Sequence, residues 1–538
     1  MAIDRRGFLG YAALGSALAL ALAKPLSAVA QSAPSASPEL DEITIGELQD
    51  AMSSGRWTAR AIAERYLGRI EAIDKHGPMV NSIIELNPEA LAIADAMDRE
   101  RKAGHVRGPL HGIPVLIKDN IDTADRMATS AGSLALAENH AARDAFVVSR
   151  LREAGAVILG KTNLSEWANF RSTHSTSGWS GRGGLTKNPY VLDRNACGSS
   201  SGTGSAIAAN LAAVGIGTET DGSVVCPSSA SGLVGIKPTL GLISRAGIIP
   251  IAHSQDTSGP MARTVRDAAI LLGILTGADE RDPVTVSSRT KGHADYTRFL
   301  DADGLKGARI GVARQYFGFN DATDKLMKNA VALIKSLGAT IVDPSNIATN
   351  GKFDATENDV LQYEFKTDIN KYLANAPASV KSRTLADLIK FNEEHRAEEM
   401  PFFGQEIFEQ SEKRGPLSEK KYIAALAKNH RLARTEGIDA TVTKHKVDAI
   451  IAPTGGPVWA TDLVNGDHFT GGYSSASAVA GYPHITVPAG MVFGLPVGLS
   501  FFAGAWSEPT LIKFAYAFEQ ASKARQKPKF LPTAGLSS

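Results

Sequence analysis

The sequence predicts an α/β fold, and three observations carry that reading. Apolar runs such as IPVLIKDN and AVILGKTN end in polar residues, the pattern of strands whose tips open into loops. Between those two runs lies DAFVVSRLREAG, a segment of helical period, so strand and helix alternate. The chain has 538 residues, 43% of them hydrophobic and 21% charged, which is ample for a large core and excludes a fibrous or disordered class.

Residues 1–30 read as a separate object, an export signal. Arg5 and Arg6 precede a Gly/Ala/Leu-rich stretch from Gly7 to Ala23, and Ala28-Val29-Ala30 forms a small-x-small cleavage pattern. With Gly7-Phe8-Leu9 after the arginines, the segment resembles a twin-arginine signal. That implies the twin-arginine export machinery as a partner and a periplasmic or secreted product that is exported folded. The alternative is a retained N-terminal anchor, but the apolar stretch is shorter than a bilayer span and rich in Gly and Ala. Cleavage near Ala30 takes the net charge from +1 to about −1.

Lys plus Arg number 57 against 56 for Asp plus Glu, so no basic excess points to nucleic acid or to an anionic membrane surface. No other run reaches eighteen apolar residues, so no stable membrane association is expected after processing. The two cysteines, Cys197 and Cys226, either pair in an oxidising compartment or remain small buried side chains.

Residues 31–42 read as a flexible Pro/Ser/Ala linker. Residues 43–107 carry three amphipathic stripes expected to pack as N-terminal helices on the body. Thr44 and Thr58 are the expected caps, and Gly55, Gly77 and Gly104 the stops. Residues 108–525 read as one α/β domain. It opens with the two strand-like runs, and a Gly/Ser loop and a small-residue helix from about Gly204 to Ala213 follow. A strand from Val214 to Gly217 then leads into GTETDGSVVCPSS. Patterns between 281 and 448 are largely helical, with strand-like ARIGVAR and ATIVDP near the start. Either the sheet continues there with helical insertions, or the segment is a helical cap. VDAIIAPTG, HITVPAG and LPVGLSFFAG read as later strands, EPTLIKFAYAFEQA as a last helix, and residues 526–538 as a peripheral tail.

Three residues concentrate the chemistry. Lys118 ends an apolar strand, Ser199 lies in Gly198-Ser199-Ser200-Ser201-Gly202, and Ser223 follows Asp221-Gly222. Glycines let the backbone bend and approach a ligand closely, and the consecutive amides of Thr220, Asp221, Gly222 and Ser223 suit an oxyanion. A serine nucleophile needs a base, yet Ser223 sits in no G-x-S-x-G elbow. The histidine nearest it in sequence, His253, falls in a turn-like segment. A lysine kept neutral by burial serves instead. From the residues alone the bland reading stands level: Lys118 as a salt-bridged strand end and Ser223 as a turn residue.

Other chemistries find less support. GSSSGTGS lacks the P-loop lysine, no dinucleotide fingerprint follows a first strand, and the twelve histidines and two cysteines show no metal-ligand spacing. No carboxylate pair stands out for glycoside hydrolysis.

Long motifs in a fixed order decide between the readings. GPLHGIPVLIKDNIDTADRMATSAGS, AGAVILGKTNLSEWAN, RNACGSSSGTGSA, GIGTETDGSVVCPSSASGLVGIKPT and AGYPHITVPAG resemble the amidase signature family over nearly all of the mature chain apart from its middle. ETDGSVVCP, GLISRAGIIPIAHSQDTSGPMART and FKTDINKYL are most similar to bacterial peptide amidases, which hydrolyse C-terminal amides of peptides. The resemblance implies a large mixed central β-sheet covered on both faces by helices, a Ser-cisSer-Lys triad and no cofactor or metal. Placed on this chain, Ser223 would be the acyl-forming nucleophile, Ser199 the bridging serine after a cis bond, and Lys118 the terminal base. Ser199 and Ser223 are 24 apart, as the family pattern requires. The oxyanion donors would be the backbone amides of Thr220, Asp221, Gly222 and Ser223.

Cys197 and Asp221 stand where the family pattern has glycine. Asp221 either braces its loop or shapes the substrate entrance. Ser200 and Asp256 are candidates to orient the glycine loop and the lysine, with turn hydrogen bonds as the plainer reading. Tyr363, Trp459 and Asp462 are candidates for the substrate pocket, with core or surface roles as the alternative. The expected function is hydrolysis of a small amide or amidated peptide to acid and ammonia. An aryl-acylamidase or esterase of the same fold is the alternative, and a non-catalytic binding protein the remote one.

Overall fold

An eleven-stranded mixed sheet runs through the protein, and the computed structural model describes residues 37–535 around it. In spatial order the strands are Ile83–Leu86, Val157–Thr162, Pro114–Lys118, Val214–Glu219, Thr257–Ala262, Val234–Lys237, His484–Val492, Leu495–Phe502, Ala449–Pro453, Arg309–Val312 and Thr340–Val342. Pro114–Lys118 lies parallel to both of its neighbours, Val157–Thr162 and Val214–Glu219. Thr257–Ala262 then runs antiparallel to Val214–Glu219, and the far edge returns to parallel pairing. Helices cover both faces.

Every residue of Pro114–Lys118, Val157–Thr162 and Val214–Glu219 is buried, which is why these strands read as continuous apolar runs instead of alternating ones. Their carboxyl ends lie side by side and carry Lys118, Thr162 and Glu219, the edge of such a sheet where sites form. The Ala/Gly-rich helix, Ser201–Ala208, is buried throughout. A Cβ added at Gly202 would lie 2.4 Å from the carbonyl oxygens of Asn163 and Ser82, so glycine is what lets the helix dock against the strand exit.

Thr44 caps Ile45–Ser53 with a reciprocal Glu47 contact, and Thr58 caps Ala59–Arg69. Beyond the expected elements, Ile83–Leu86, Val234–Lys237 and Thr257–Ala262 join the sheet. Gly259 and Pro260 in the last of these weaken its strand signature in the sequence. ARIGVAR and ATIVDP supply the two strands at the far edge, so the sheet continues through the largely helical region 281–448.

The expected signal at 1–30 lies outside the described residues, as do residues 31–36 of the expected linker. Residues 37–42 are not flexible chain: Pro38–Leu40 form a 3-10 turn, Leu40 is buried, and Asp41 meets Arg69 at 2.9 Å. The expected tail is likewise tied down, with Leu192 donating to the Leu531 carbonyl at 2.8 Å and Lys527 pairing with Asp41. Among the described residues no helix is long and apolar enough to cross a membrane.

Candidate active site

Lys118, Ser199 and Ser223 arrive at one place by three routes. The strand Pro114–Lys118 delivers the lysine, the loop before Ser201–Ala208 delivers Ser199, and the turn after Val214–Glu219 delivers Ser223. Lys118 is fully buried, and its Nζ lies 2.8 Å from Ser199 Oγ, 2.9 Å from Thr218 Oγ1 and 3.3 Å from the Thr218 carbonyl. Among the described residues no carboxylate touches the amine. Burial lowers its pKa from 10.5 to about 7, with Glu219 and Asp256 pulling weakly the other way. The salt-bridged strand end is therefore not what forms; a near-neutral amine faces a serine.

The peptide bond Gly198–Ser199 is cis. Ser200 stitches the loop to its neighbours: its amide donates to the Ser223 carbonyl at 3.2 Å, and its hydroxyl donates to the Thr218 carbonyl at 3.1 Å. Ser200 thus ties its loop to the Ser223 segment and to the strand before it.

The turn Thr220 to Ser223 is shaped by Gly222, whose φ of +79° is the left-handed conformation glycine adopts without penalty. Glu219 consumes the next two amides, those of Val224 and Val225, at 2.7 and 3.1 Å. The amides of Thr220, Asp221, Gly222 and Ser223 donate to no acceptor among the described residues. Four consecutive donors left open beside a serine are what an oxyanion requires.

Asp256 holds this turn, not the lysine. It accepts from Thr220 Oγ1 at 2.6 Å and from the amides of Ile251 and Ala252 at 2.8 and 2.9 Å, and burial raises its pKa to about 6. Asp221 is a brace as well: Ser475 Oγ donates to its carboxylate at 2.6 Å, tying the turn to the start of the helix Ser475–Ala480. Burial raises the Asp221 pKa.

Cys197 and Cys226 are joined by a disulfide, with Cα atoms 6.0 Å apart. The bond lies two residues before Ser199 and three after Ser223, so it clamps the two serine segments to each other. Reduction under native conditions is expected to lower kcat/KM by roughly tenfold to a hundredfold, the scale set by ångström displacements of reacting groups. Assay with a phosphine reductant, thiol alkylation counted by mass spectrometry and near-ultraviolet circular dichroism would check it. Full activity with both thiols alkylated would contradict the clamp.

A cleft of about 430 Å³ opens beside these groups, reaching Thr218, Thr220 and Asn120 from a wall that includes Ala168, Ile249 and Ile251. Lys118, Ser199 and Ser223 are not themselves among its lining residues. None of the three expected pocket residues lines it. Tyr363 packs against Tyr422 and donates to Glu419. Trp459 flanks a small separate hollow by Cys226 and donates to Asp467, and Asp462 accepts from the turn amides of Val464 and Asn465. Aromatic and loop composition in the middle region carried no information on which face meets the site. From that region α-helical Asp368 and Tyr372 do line the cleft. Among the described residues His253 makes no hydrogen bond to Ser223, and its ring nitrogens face Asp368 at 2.7 Å and Glu364 at 3.5 Å.

Two residues that sequence reasoning passed over complete the arrangement. Thr218 touches Lys118 twice, and Asn120 donates to Thr218 Oγ1 at 3.0 Å. Their only signal was position, at the polar exits of two adjacent strands.

Comparison with known proteins agrees with this geometry. The Amidase family matches residues 61–512. The crystal structure of native peptide amidase from Stenotrophomonas maltophilia is similar over 91% of this chain and 99% of its own, with 49% identity and a TM-score of 0.86. That of the peptide amidase PAM with the competitive inhibitor chymostatin shares the same identity and coverage, with a TM-score of 0.88. A probable amidase of Arabidopsis thaliana is 42% identical over 521 residues, 96% of each chain.

Proposed function

The chain belongs to the amidase family, and from that premise we propose that it is a peptide amidase, releasing ammonia from the C-terminal carboxamide of peptides through an acyl-Ser223 intermediate. The observation that carries the proposal is the buried Lys118 amine 2.8 Å from Ser199, set beside a serine turn with four open amides. Support for the peptide substrate comes from the 49% identity to peptide amidases over nearly their whole length.

In this reading neutral Lys118 takes the proton of Ser199 as Ser199 takes that of Ser223, and Ser223 Oγ bonds to the amide carbon. The carbonyl oxygen gains charge where the amides of Thr220, Asp221, Gly222 and Ser223 converge. The proton returns to the nitrogen as the C–N bond breaks and ammonia leaves. Water then repeats the path, adding to the acyl carbon and freeing the acid and Ser223. Thr220 and Asp221 are held for this by Asp256 and Ser475.

The proposal includes export in the folded state to the periplasm. Arg5-Arg6 supports it in the sequence, and so does a disulfide, since such bonds persist in oxidising compartments.

The test is hydrolysis of four substrates, followed as ammonia released from an amidated dipeptide, its free acid and a simple fatty amide, and as aniline released from an aryl acetanilide. The amidated dipeptide is expected to exceed the acetanilide in kcat/KM by at least about a hundredfold, a difference of roughly 3 kcal/mol in transition-state binding. Turnover of the anilide alone would replace this reading with an aryl-acylamidase.

A further inference from the structure

We propose that Thr218 is a positioning residue for the reaction, its hydroxyl and carbonyl supplying the two acceptors that protonated Lys118 needs in addition to Ser199. The proposal rests on Lys118 being the base.

The argument is one of counting hydrogens. An ammonium carries three, and Lys118 Nζ has three oxygen neighbours: Ser199 Oγ at 2.8 Å, Thr218 Oγ1 at 2.9 Å and Thr218 O at 3.3 Å. The charged form therefore has a protein acceptor for each hydrogen at a fully buried position, where an unmet N–H would be costly. The neutral amine has two hydrogens and one lone pair. The Thr218 carbonyl only accepts, so it takes one hydrogen in either state. When Thr218 Oγ1 takes the second, the lone pair is left facing Ser199, the one neighbour whose proton must move.

Thr218 is placed so that it stays put while the lysine titrates. Its amide donates to Ser200 Oγ at 3.2 Å, its carbonyl also accepts from Ser200 Oγ at 3.1 Å, and Asn120 donates to its hydroxyl at 3.0 Å. The residue is 7% exposed on a fully buried strand. The other titratable groups acting on Lys118 are Glu219, on the same strand, and Asp256, before the adjacent one, and neither is altered by changing Thr218.

The experiment is the pH profile of kcat/KM in wild type, Thr218→Val, Thr218→Ser and Lys118→Met, with an amidated dipeptide. Removing the hydroxyl acceptor disfavours the ammonium, so the acid limb in Thr218→Val is expected to move down by about one pH unit. Its kcat is expected to fall about tenfold, with KM within about threefold of wild type. Thr218→Ser restores both. A merely structural threonine would lower activity or stability with the limb unmoved. An unmoved or raised limb in folded Thr218→Val overturns the proposal, and Thr218→Ala is read the same way where valine does not give folded protein. An acid limb that persists unchanged in Lys118→Met defeats the lysine-base reading itself; a limb lost there but unmoved in Thr218→Val defeats only the role of Thr218.

Discussion

Ser223→Ala is expected to abolish turnover while leaving the fold intact, lowering kcat/KM by at least about 10⁴-fold, the scale of nucleophile losses in serine hydrolases. The hydroxyl of Ser223 forms no hydrogen bond with another described residue, so alanine removes reactivity without orphaning a buried partner. Unfolding free energies should match wild type within about 0.5 kcal/mol, as for changes that disturb no packing or buried network. Mass spectrometry after mixing with a slowly deacylating ester should show the acyl adduct in wild type and none in the variant. Ser199→Ala should cost a similar factor, and the double variant little more, because residues that act in one proton path lose their effect together. Additive losses would mean that the two serines work independently. An acyl adduct still formed by Ser223→Ala would remove Ser223 from the nucleophile's role.

The part of this arrangement that the sequence made legible is the part whose chemistry needs a residue type at a fixed place. Glycines around Ser199 and Ser223 marked the two bends, and Lys118 stood at the end of an apolar run, but these residues alone left the bland reading level. The resemblance to the amidase signature family is what put the three into one triad. What stayed hidden depends on which strands become neighbours. Thr218 looks like any β-branched strand residue until Pro114–Lys118 and Val214–Glu219 are seen side by side, and Thr257–Ala262 is masked by its own glycine and proline. Asp256 was a candidate to orient the lysine. The intervening turn takes up its carboxylate instead, through Thr220. Tyr363 and Trp459 do not line the cleft, because a large apolar ring is first a packing unit, and its direction is set by helices and loops whose docking no local pattern encodes.

Lys118→Met tests the base and its environment at once, because methionine nearly matches the lysine stem in volume and carries no proton acceptor of use. Activity is expected to fall by about 10⁴-fold or more, comparable with the loss of other triad members. Wild-type kcat/KM should rise with pH through an apparent pKa near 7, where the buried amine loses its proton, and the variant's residual rate should lack that limb. Stability should rise with pH as well, across the window above that limb. In the unfolded chain the lysine holds its proton up to 10.5, whereas in the folded protein it holds it only up to about 7. Between those values the unfolded state binds the extra proton, so wild-type stability rises with pH across this window, by up to about 1.36 kcal/mol per pH unit from this group. Below about pH 7 the full cost of burying the amine is present, and above 10.5 it is gone. Denaturant unfolding of both proteins at pH 7 and pH 9.5 should therefore show Lys118→Met at least as stable as wild type at the lower pH, with its relative advantage shrinking at the higher. A constant difference across that window would mean that the folded amine titrates at its ordinary value, and with it would go the neutral base. An inactive variant of undiminished stability would instead identify Lys118 as a group kept for its chemistry against the preference of the core, the relation between function and stability expected where a fold retains a charge-prone group in a dry site.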